Sequence, residues 1–317
     1  HKTMRDEGLV DSDEPFKRLL TQGMVCKETY YRDEGARKKY FNPDDVLTKT
    51  DNKGKVVSAV LESDGDPVSI GPVEKMSKSK NNGVDPEELI NIYGADTVRL
   101  YTMFAAPPDQ SLEWSASAVE GASRFVKAIW KLVERHVAEG VVESVKTGRD
   151  LTDSLKSIRR RTHETIAKVS DDIDRRYKFN TAIASIMELV NIVSRMKVDV
   201  PLAQGVRQEA LETVVLLLTP ITPHVTEVLW RALGRDGDIA NASWPTADQS
   251  ALIKEEHNIV IQVDGRKRST IVLSANLDRI GYEEAALRDE KVQKYIDGKQ
   301  IVKVIVVPWK LINIVVK

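Results

Sequence analysis

The sequence predicts a multidomain α+β protein, because two different hydrophobic periods follow one another along a long chain. From about Ser115 to Gly234, apolar residues recur at steps of three and four, which indicates amphipathic helices. From about His257 onwards the apolar period becomes two, which indicates strands. A chain of 317 residues is also longer than most single domains. We therefore expect several units with separate cores.

The first part of the chain mixes short helical and strand patterns. The stretch SDEPFKRLL (12–20) predicts a capped helix, and GMVCKETYY (23–31) predicts a strand. Over residues 33–73, clusters of Gly, Asn and Asp separate short strand patterns such as KVVSAVLE (55–62). We expect a small β-rich insertion there.

Residues 74–114 combine a run of lysines with two predicted helices. Asp85 is a good N-cap, and Pro86 suits the first position of a helix, so one helix should begin at this point. Gly94 can end that helix in a left-handed conformation, and ADTVRLYTMFAA (95–106) predicts the next helix.

The remainder of the chain predicts two further units. Residues 115–250 read as an antiparallel helical bundle. Its helical patterns cover 115–137, 153–176, 180–197 and 206–218, followed by TPITPHVTEVLW. Residues 251–317 read as a small β-β-α-β-β module, with the helical pattern at 282–296.

Composition excludes several classes of protein. Charges are balanced, with 47 Lys and Arg against 48 Asp and Glu, so net charge gives no indication of a nucleic-acid partner. The single Cys26 excludes an internal disulfide and a cysteine-rich zinc site, and we expect no metal site. No apolar stretch approaches the roughly 20 residues of a membrane span, and no secretory signal is visible, so we expect a cytoplasmic protein. Because the chain opens at His1 without an initiator Met, a fragment is expected.

The most informative stretch is VEKMSKSKNNGVDP, residues 73–86, which places Lys75, Lys78 and Lys80 within six positions. Charge runs of this kind are usually solvated surface loops. The alternative is a phosphate clamp, because ammonium groups on long stems and serine hydroxyls suit a polyphosphate whose charge shifts during a reaction.

The order of the residues favours the clamp. Lys75-Met76-Ser77-Lys78-Ser79 matches the KMSKS signature of class I aminoacyl-tRNA synthetases. The following KNNGVDPEELINIYGADTVRLYTMFAAPPDQSLEW resembles the corresponding stretch of bacterial leucyl-tRNA synthetases, and the resemblance extends over essentially the whole chain. The C-terminal portion of such an enzyme is the implied identity.

The resemblance implies a reaction and roles for the signature residues. Leucine is activated by ATP, accompanied by Mg²⁺, and is then transferred to tRNA-Leu. Lys78 would contact the ATP phosphates and stabilise charge on the departing pyrophosphate, while Lys75 and Ser79 would assist. Ser77 and Met76 would complete the ATP-binding loop, with Met76 packing the loop down.

The resemblance also assigns the first two segments. Residues 1–32 would be the tail of the catalytic nucleotide-binding α/β domain, and 33–73 a leucine-specific insertion. Gln22, Gly23 and Met24 would lie beside the adenine pocket. An ordinary buried strand end is the alternative for these three.

One half of the expected catalytic site is missing. Class I enzymes also need a His-x-Gly-His motif, and none of the five histidines begins one. The isolated chain is therefore expected to be inactive in activation and in editing, and to need the N-terminal catalytic half as a partner, in the same chain or as a separate subunit. Two rivals stay open: a non-catalytic tRNA-binding or regulatory paralogue, and one subunit of a split synthetase.

The last two units resemble RNA-binding parts of the family. The bundle resembles the class Ia anticodon-binding domain, and the terminal module resembles the flexible domain that reaches the tRNA elbow and long variable arm. Candidate phosphate contacts are Arg124, Lys127, Lys131, Arg135, Arg266, Lys267, Arg268, Lys303 and Lys310. A solvated charge is the alternative for each. The run GRKR (265–268), expected in a hairpin turn, is the best candidate.

Overall fold

The computed structural model contains both helices and sheets, in agreement with the predicted α+β class. It describes residues 1–16, 18–52, 56–145, 147–148, 150–253, 256–274 and 277–317. Two compact units divide the chain, His1–Ala251 and Leu252–Lys317. None of the helices in these ranges is both long and apolar enough to cross a bilayer.

The start of the first unit differs from the prediction. Helix α1 spans Lys2–Asp6, and strand β1 spans Val25–Lys27. The predicted helix over 12–20 is absent from the described residues of that stretch. Phe16 and Leu19 are exposed there, and a short helix without an apolar face to bury gains too little from its own hydrogen bonds.

The predicted β-rich insertion consists of two small sheets. Its strands are β2 (Tyr30–Glu34), β3 (Arg37–Phe41), β4 (Val46–Thr50), β5 (Val56–Leu61) and β6 (Ser69–Ile70). The sheets have the orders β3-β2-β6 and β4-β5, and they share a core that includes Tyr30 and Leu61. The predicted strand 23–31 is broken at Glu28–Thr29 into β1 and β2. Lys55, the first residue of the predicted strand 55–62, lies outside the described residues.

The lysine run lies next to a three-stranded sheet. Strands β7 (Glu74–Lys75) and β8 (Leu112–Glu113) flank β1, antiparallel and parallel to it respectively. Helices α2 (Pro86–Tyr93) and α3 (Ala95–Ala105) lie between these strands in sequence. As predicted, the side chain of Asp85 caps α2 by accepting from the Glu87 N–H at 2.9 Å, and the helix ends at Gly94. Gly94 has a positive φ of 84°, but its ψ of 150° differs from the predicted left-handed helical conformation.

The predicted helical segments of the bundle are helices in the structure. They are α4 (Ala116–Glu139), α5 (Asp153–Asp174), α6 (Phe179–Ser194), α7 (Pro201–Leu218) and α8 (Pro223–Ala232). Their apolar faces form one continuous core together with α3. Helix α7 begins five residues earlier than predicted, because Pro201 occupies its first turn and Gln204 is buried against the Gly140 carbonyl.

Two side chains fasten α3 to the corner between α7 and α8. Asp96 accepts from the Val225 N–H at 2.7 Å and contacts His224 Nδ1 at 2.9 Å. Arg99 donates to the carbonyl oxygens of Ile221 and Pro220 at 3.0 and 2.9 Å. Helix α3 is therefore tied to the bundle, because Arg99 binds carbonyl oxygens just after the carboxyl end of α7 and Asp96 caps the amino end of α8.

A neutral histidine is buried in the bundle. Arg207 Nε donates to His136 Nδ1 at 2.8 Å, and His136 Nε2 contacts Gln208 Oε1. Because arginine can only donate, Nδ1 must be unprotonated and the imidazole neutral. Burial, and then the Arg207 guanidinium, lower the pKa of His136.

Acidification should therefore destabilise this chain through His136. Below about pH 6.5 the unfolded imidazole takes up a proton that the folded one refuses, so stability falls from that pH towards the lowered folded pKa. We expect a loss of roughly 1 kcal/mol between pH 7.5 and 5.5 in chemical unfolding, and a smaller loss in His136→Gln. The exposed His224 is the control: His224→Gln should keep the wild-type loss. An equal loss in His136→Gln and the wild type would contradict this.

The second unit is a four-stranded sheet with two helices on one face. It contains β9 (Glu256–Val263), β10 (Arg266–Ser274), α9 (Arg279–Arg288), α10 (Glu290–Ile296), β11 (Ile301–Val307) and β12 (Leu311–Val316). The strand order is β10-β9-β12-β11, with β9 and β12 parallel. Alternate residues of the central strands, such as Ile261 and Ile312, form the core with the helices.

The basic run near residue 266 is not in a turn, contrary to the prediction for 265–268. Asp264 and Gly265 alone connect β9 and β10, both with positive φ (51° and 77°). Two such residues make the tight hairpin whose twist matches the flanking strands. Arg266, Lys267 and Arg268 consequently lie on β10, and the pairing with β9 is irregular between Lys267 and Ser269.

Candidate functional site

The signature loop, residues 75–79, leaves the three-stranded sheet at β7 and enters a short 3-10 helix, Lys78–Lys80. The Met76 N–H still donates to the Val25 carbonyl at 3.0 Å, so the loop is tied to β1 at its start. Met76 is half-buried, and its role in packing the loop down stays a prediction. Asn81 closes the 3-10 helix in the left-handed conformation, with a φ of 48°.

The side chain of Asn82 ties this loop to strands β1 and β7. Its side chain is fully buried, and its Oδ1 accepts from the Ser77 N–H at 2.9 Å. Its Nδ2 donates to the carbonyl oxygens of Lys27, at the end of β1, and Glu74, on β7, at 3.1 and 3.3 Å. The sequence alone does not single out this residue. Its only signal is an asparagine pair after the lysines, and burial distinguishes the two members only in the fold.

The three lysines of the run have different surroundings. Lys80 forms an ion pair with Glu74 across the base of the loop. Lys75 and Lys78 are exposed, and neither forms an ion pair within the ranges that the structure describes. Ser77 and Ser79 bring their hydroxyl oxygens to 3.3 Å from each other beside Lys78. The loop therefore presents two uncompensated cations and two hydroxyls to an external anion.

The predicted adenine-side residues, 22–24, lie immediately before β1. The Gly23 N–H donates to the Pro108 carbonyl at 2.7 Å, and a Cβ on Gly23 would lie 1.9 Å from the Gln110 carbonyl oxygen. Only glycine fits this close approach. Gln22 and Met24 are exposed, so the alternative of an ordinary buried strand end does not describe them. Their contact with a nucleotide stays a prediction.

The insertion borders the same loop. Strand β3 lies against the 3-10 helix Lys78–Lys80. Lys27, whose carbonyl holds Asn82, also pairs through its ammonium group with Asp44 of the insertion at 3.0 Å. The loop is thus framed by the sheet on one side and by the insertion on the other.

The basic residues predicted for the bundle lie along exposed positions of α4. Arg124, Lys127, Lys131 and Arg135 are all exposed, while Val119, Ile129 and Val133 of the same helix are buried. Arg124 pairs with Glu120 at 3.8 Å, an exposed contact of little energetic weight. Because steps of three and four place residues on one side of a helix, the four cations form a stripe.

The basic residues predicted for the second unit are dispersed. Arg266 and Lys267 are exposed at the start of β10, Lys303 is exposed on β11, and Lys310 is exposed in the β11–β12 turn. Arg268 differs, since it is half-buried and its guanidinium lies 4.0 Å from the centre of the Tyr295 ring. Such a contact is a cation–π interaction and holds the side chain against α10.

Two known protein families match parts of this chain, and one of the matches includes the signature loop. The family described as "tRNA synthetases class I (I, L, M and V)" matches residues 68–115, which include the signature loop. The family described as "Anticodon-binding domain of tRNA ligase" matches residues 156–285. The leucine–tRNA ligase of Alkalilimnicola ehrlichii is 57% identical over 99% of this chain, and that of Marinobacter nauticus is 56% identical over 99%.

Over nearly its whole length the chain is similar to leucine–tRNA ligases. It spans 37% of the length of each of these two relatives. A solved leucyl-tRNA synthetase of Agrobacterium radiobacter K84, in a ternary complex with tRNA and LeuAMS, superposes on the whole chain with a TM-score of 0.70. The chain covers 35% of that structure at 24% identity, a likeness that concerns the fold.

Proposed function

We propose that this chain is the carboxyl-terminal part of a leucine–tRNA ligase and supplies the phosphate-binding half of its ATP site. The observation that carries the proposal is the signature loop, in which the exposed Lys75 and Lys78 lack ion-pair partners within the described residues while Asn82 pins the backbone beneath them. A charge run that served only solubility would need no buried anchor. The homology to leucine–tRNA ligases supplies the substrate.

The chemistry follows from the positions of these groups. A carboxylate oxygen of leucine attacks the α-phosphorus of ATP, and the bond from that phosphorus to the bridging oxygen of pyrophosphate breaks. Negative charge then accumulates on the leaving pyrophosphate, where the Lys78 ammonium stabilises it more than it stabilises ATP itself. Lys75 and the hydroxyl of Ser79 assist. The leucyl group next passes to the terminal ribose of tRNA-Leu and AMP leaves.

Magnesium belongs to the substrate in this mechanism. The described residues contain no group of three or more His, Cys, Asp or Glu side chains that could hold a metal ion. Mg²⁺ prefers phosphate and water oxygens to an all-protein cage, so it would arrive with ATP. Its role is to neutralise the phosphates, and Lys75 and Lys78 add to that neutralisation.

The isolated chain should not activate leucine, because its five histidines supply no His-x-Gly-His motif. The test is amino-acid-dependent ATP–pyrophosphate exchange by the complete ligase that contains this sequence. We expect exchange with leucine well above that with isoleucine, valine or methionine, and none by the purified 317-residue chain. Exchange driven by another amino acid, or by the chain alone, would overturn the assignment. The complete reading frame would separate a single-chain ligase from a split one.

A non-catalytic tRNA-binding paralogue is disfavoured by the same loop. A protein that only bound RNA would have little reason to keep the complete five-residue signature from Lys75 to Ser79. RNA binding is instead the second task that we propose for this chain. Support comes from the match to the anticodon-binding family and from the exposed basic stripe on α4.

Charge reversal at Arg266 and Lys267 should weaken tRNA-Leu binding. Each phosphate contact releases counterions, so losing two contacts should lower the slope of log K against log salt by about 2. The measurement is a salt series of binding constants for Arg266→Glu/Lys267→Glu in the complete ligase. Lys299→Glu, an exposed reversal elsewhere in the second unit, is the matched control. An unchanged slope would remove this hairpin from the interface.

A further inference from the structure

We infer that Asn82 is a positioning residue that fixes the signature loop and thereby places Lys78 against the ATP phosphates. The inference rests on the proposed function and extends it to a residue outside the five-residue signature. Because its side chain is fully buried, we assign Asn82 no direct contact with ATP or leucine. It acts through the backbone that carries Lys78.

The first support is the number of segments that one side chain joins. Oδ1 of Asn82 binds the N–H of Ser77, and Nδ2 binds the carbonyl oxygens of Lys27 and Glu74. These three partners lie in the loop, at the end of β1 and on β7. A side-chain amide offers two donors and one acceptor oxygen in a plane, and all three functions are used here.

The second support is burial. Asn82 is fully buried although both neighbours, Asn81 and Gly83, are exposed. A buried polar group is retained only when its hydrogen bonds are made, because desolvation otherwise costs more than the contact returns. Removing the amide would also leave the Ser77 N–H without this acceptor.

The third support is the way in which the loop is closed. Glu74 and Lys80 pair across its base, and Asn82 lies one residue beyond the left-handed Asn81. The residues between these ties, including Lys78, span a short bridge whose two ends are fixed to the sheet. A cation on such a bridge is pre-organised before ATP arrives, which is the condition for electrostatic stabilisation of a transition state.

No other side chain reproduces this arrangement. Aspartate has the same shape but no donor, so its carboxylate would face the carbonyl oxygens of Lys27 and Glu74. Serine and alanine are too short to reach three segments. Asn82→Asp removes both N–H donors without changing the volume, and the carboxylate charge that it adds is matched by Asn81→Asp.

The experiment compares Asn82→Asp with Asn81→Asp in the complete ligase. Asn81 is the matched control, since the chemical change is identical, its side chain is exposed, and aspartate tolerates a left-handed backbone. For Asn82→Asp we expect kcat of leucine-dependent pyrophosphate exchange to fall by roughly 10–10²-fold, with the KM for leucine changed by less than about 2-fold. Asn81→Asp should remain within about 3-fold of the wild type. A kcat for Asn82→Asp within that range would overturn the inference.

A double-mutant cycle separates positioning from general support of the fold. If Asn82 acts through Lys78, adding Asn82→Asp to Lys78→Ala should slow exchange by less than about 3-fold more. Multiplicative effects of the two changes would refute action through Lys78. Should Asn82→Asp lower the unfolding temperature markedly, the same cycle with Asn82→Ser replaces it.

Hydrogen exchange tests the anchor independently of catalysis. The Ser77 amide of the complete ligase should exchange with solvent at least about 10-fold faster in Asn82→Ala than in the unmodified ligase, because alanine removes the oxygen that accepts its hydrogen bond. Equal protection would show that Asn82 does not hold the loop. If the unmodified ligase showed no leucine-dependent ATP–pyrophosphate exchange, the proposed function would be refuted. The hydrogen-exchange protection of the Ser77 amide would still show whether Asn82 anchors the loop.

Discussion

Replacing Lys78 by alanine in the complete ligase should slow leucyl-adenylate formation by about 10²–10³-fold, equivalent to about 3–4 kcal/mol. Lys78 is exposed on a pinned loop, and no ion pair within the described residues competes for its ammonium group. Its charge is therefore available to the pyrophosphate as that group departs. Since leucine itself does not contact Lys78 in this mechanism, the KM for leucine should change little. The measurement is ATP–pyrophosphate exchange at saturating leucine.

Two other lysines provide the comparison. Lys80 is half-buried and paired with Glu74, so Lys80→Ala should cost much less than Lys78→Ala. Lys49→Ala removes an exposed cation from β4 and controls for net charge. Near-normal exchange by Lys78→Ala, or an equal loss in all three variants, would remove Lys78 from the mechanism.

Removing the carboxylate of Glu209 should strongly destabilise the helical bundle. Arg159 is only 4% exposed. Its Nε donates to both Glu209 carboxylate oxygens at 3.2 and 3.0 Å, and its Nη2 donates to Asp248 at 2.8 Å. His163 Nε2 lies 3.0 Å from Glu209 as well. Among the residues that the structure describes, Glu209→Ala would leave the buried guanidinium with Asp248 alone. Breaking a buried pair from one side costs about 3–5 kcal/mol.

We expect Glu209→Ala to lower the free energy of unfolding by about 3 kcal/mol, the low end of that range, because Asp248 remains. For a unit of this size the midpoint of thermal unfolding should fall by roughly 6–12 °C. Glu164→Ala is the control: Glu164 lies on the same helix as Arg159 and pairs with Arg161 at 3.5 Å near the surface. That pair is worth at most about 1 kcal/mol. Equal midpoints for the two variants would contradict a dominant role for the buried network.

The helices are predictable because each is long and strongly periodic. The stripe that contains Val119, Ile129 and Val133 determines α4 from sequence alone, and Asp85 with Gly94 delimits α2. The early start of α7 has one local signal, Pro201 in its first turn, and the apolar period begins only later. Gln204 is buried by a hydrogen bond to Gly140, a partner 64 positions away in the sequence. Contacts of that range leave no local pattern.

Short elements at the edges of the cores are predicted less well. The residues of 12–20 predict a helix, yet Phe16 and Leu19 find no apolar surface within the described residues and remain exposed. The sequence predicts a turn for the basic run after Gly265, although two residues suffice to reverse the chain there. In the first case tertiary context outweighs local propensity, whereas in the second the Asp264-Gly265 pair is itself a local signal for a two-residue hairpin.

The candidate site also has one part that the sequence predicts and one part that only the fold shows. The signature residues are visible in the sequence as a fixed order, and the structure places Lys75 and Lys78 on one exposed loop. The anchor is invisible there, because Asn82 meets Lys27 across 55 positions of sequence and differs from Asn81 only by burial. The motif thus predicts the reacting groups, whereas the residue that we propose as their anchor emerges only from the fold.

The central claim is that this loop serves ATP in a ligase that charges tRNA with leucine. The most direct measurement is the rate of tRNA-Leu leucylation by the complete ligase before and after joint neutralisation, Lys75→Gln/Lys78→Gln. We predict a loss of at least about 10²-fold, with folding and tRNA binding retained. Equal charging by the two proteins would contradict the claim.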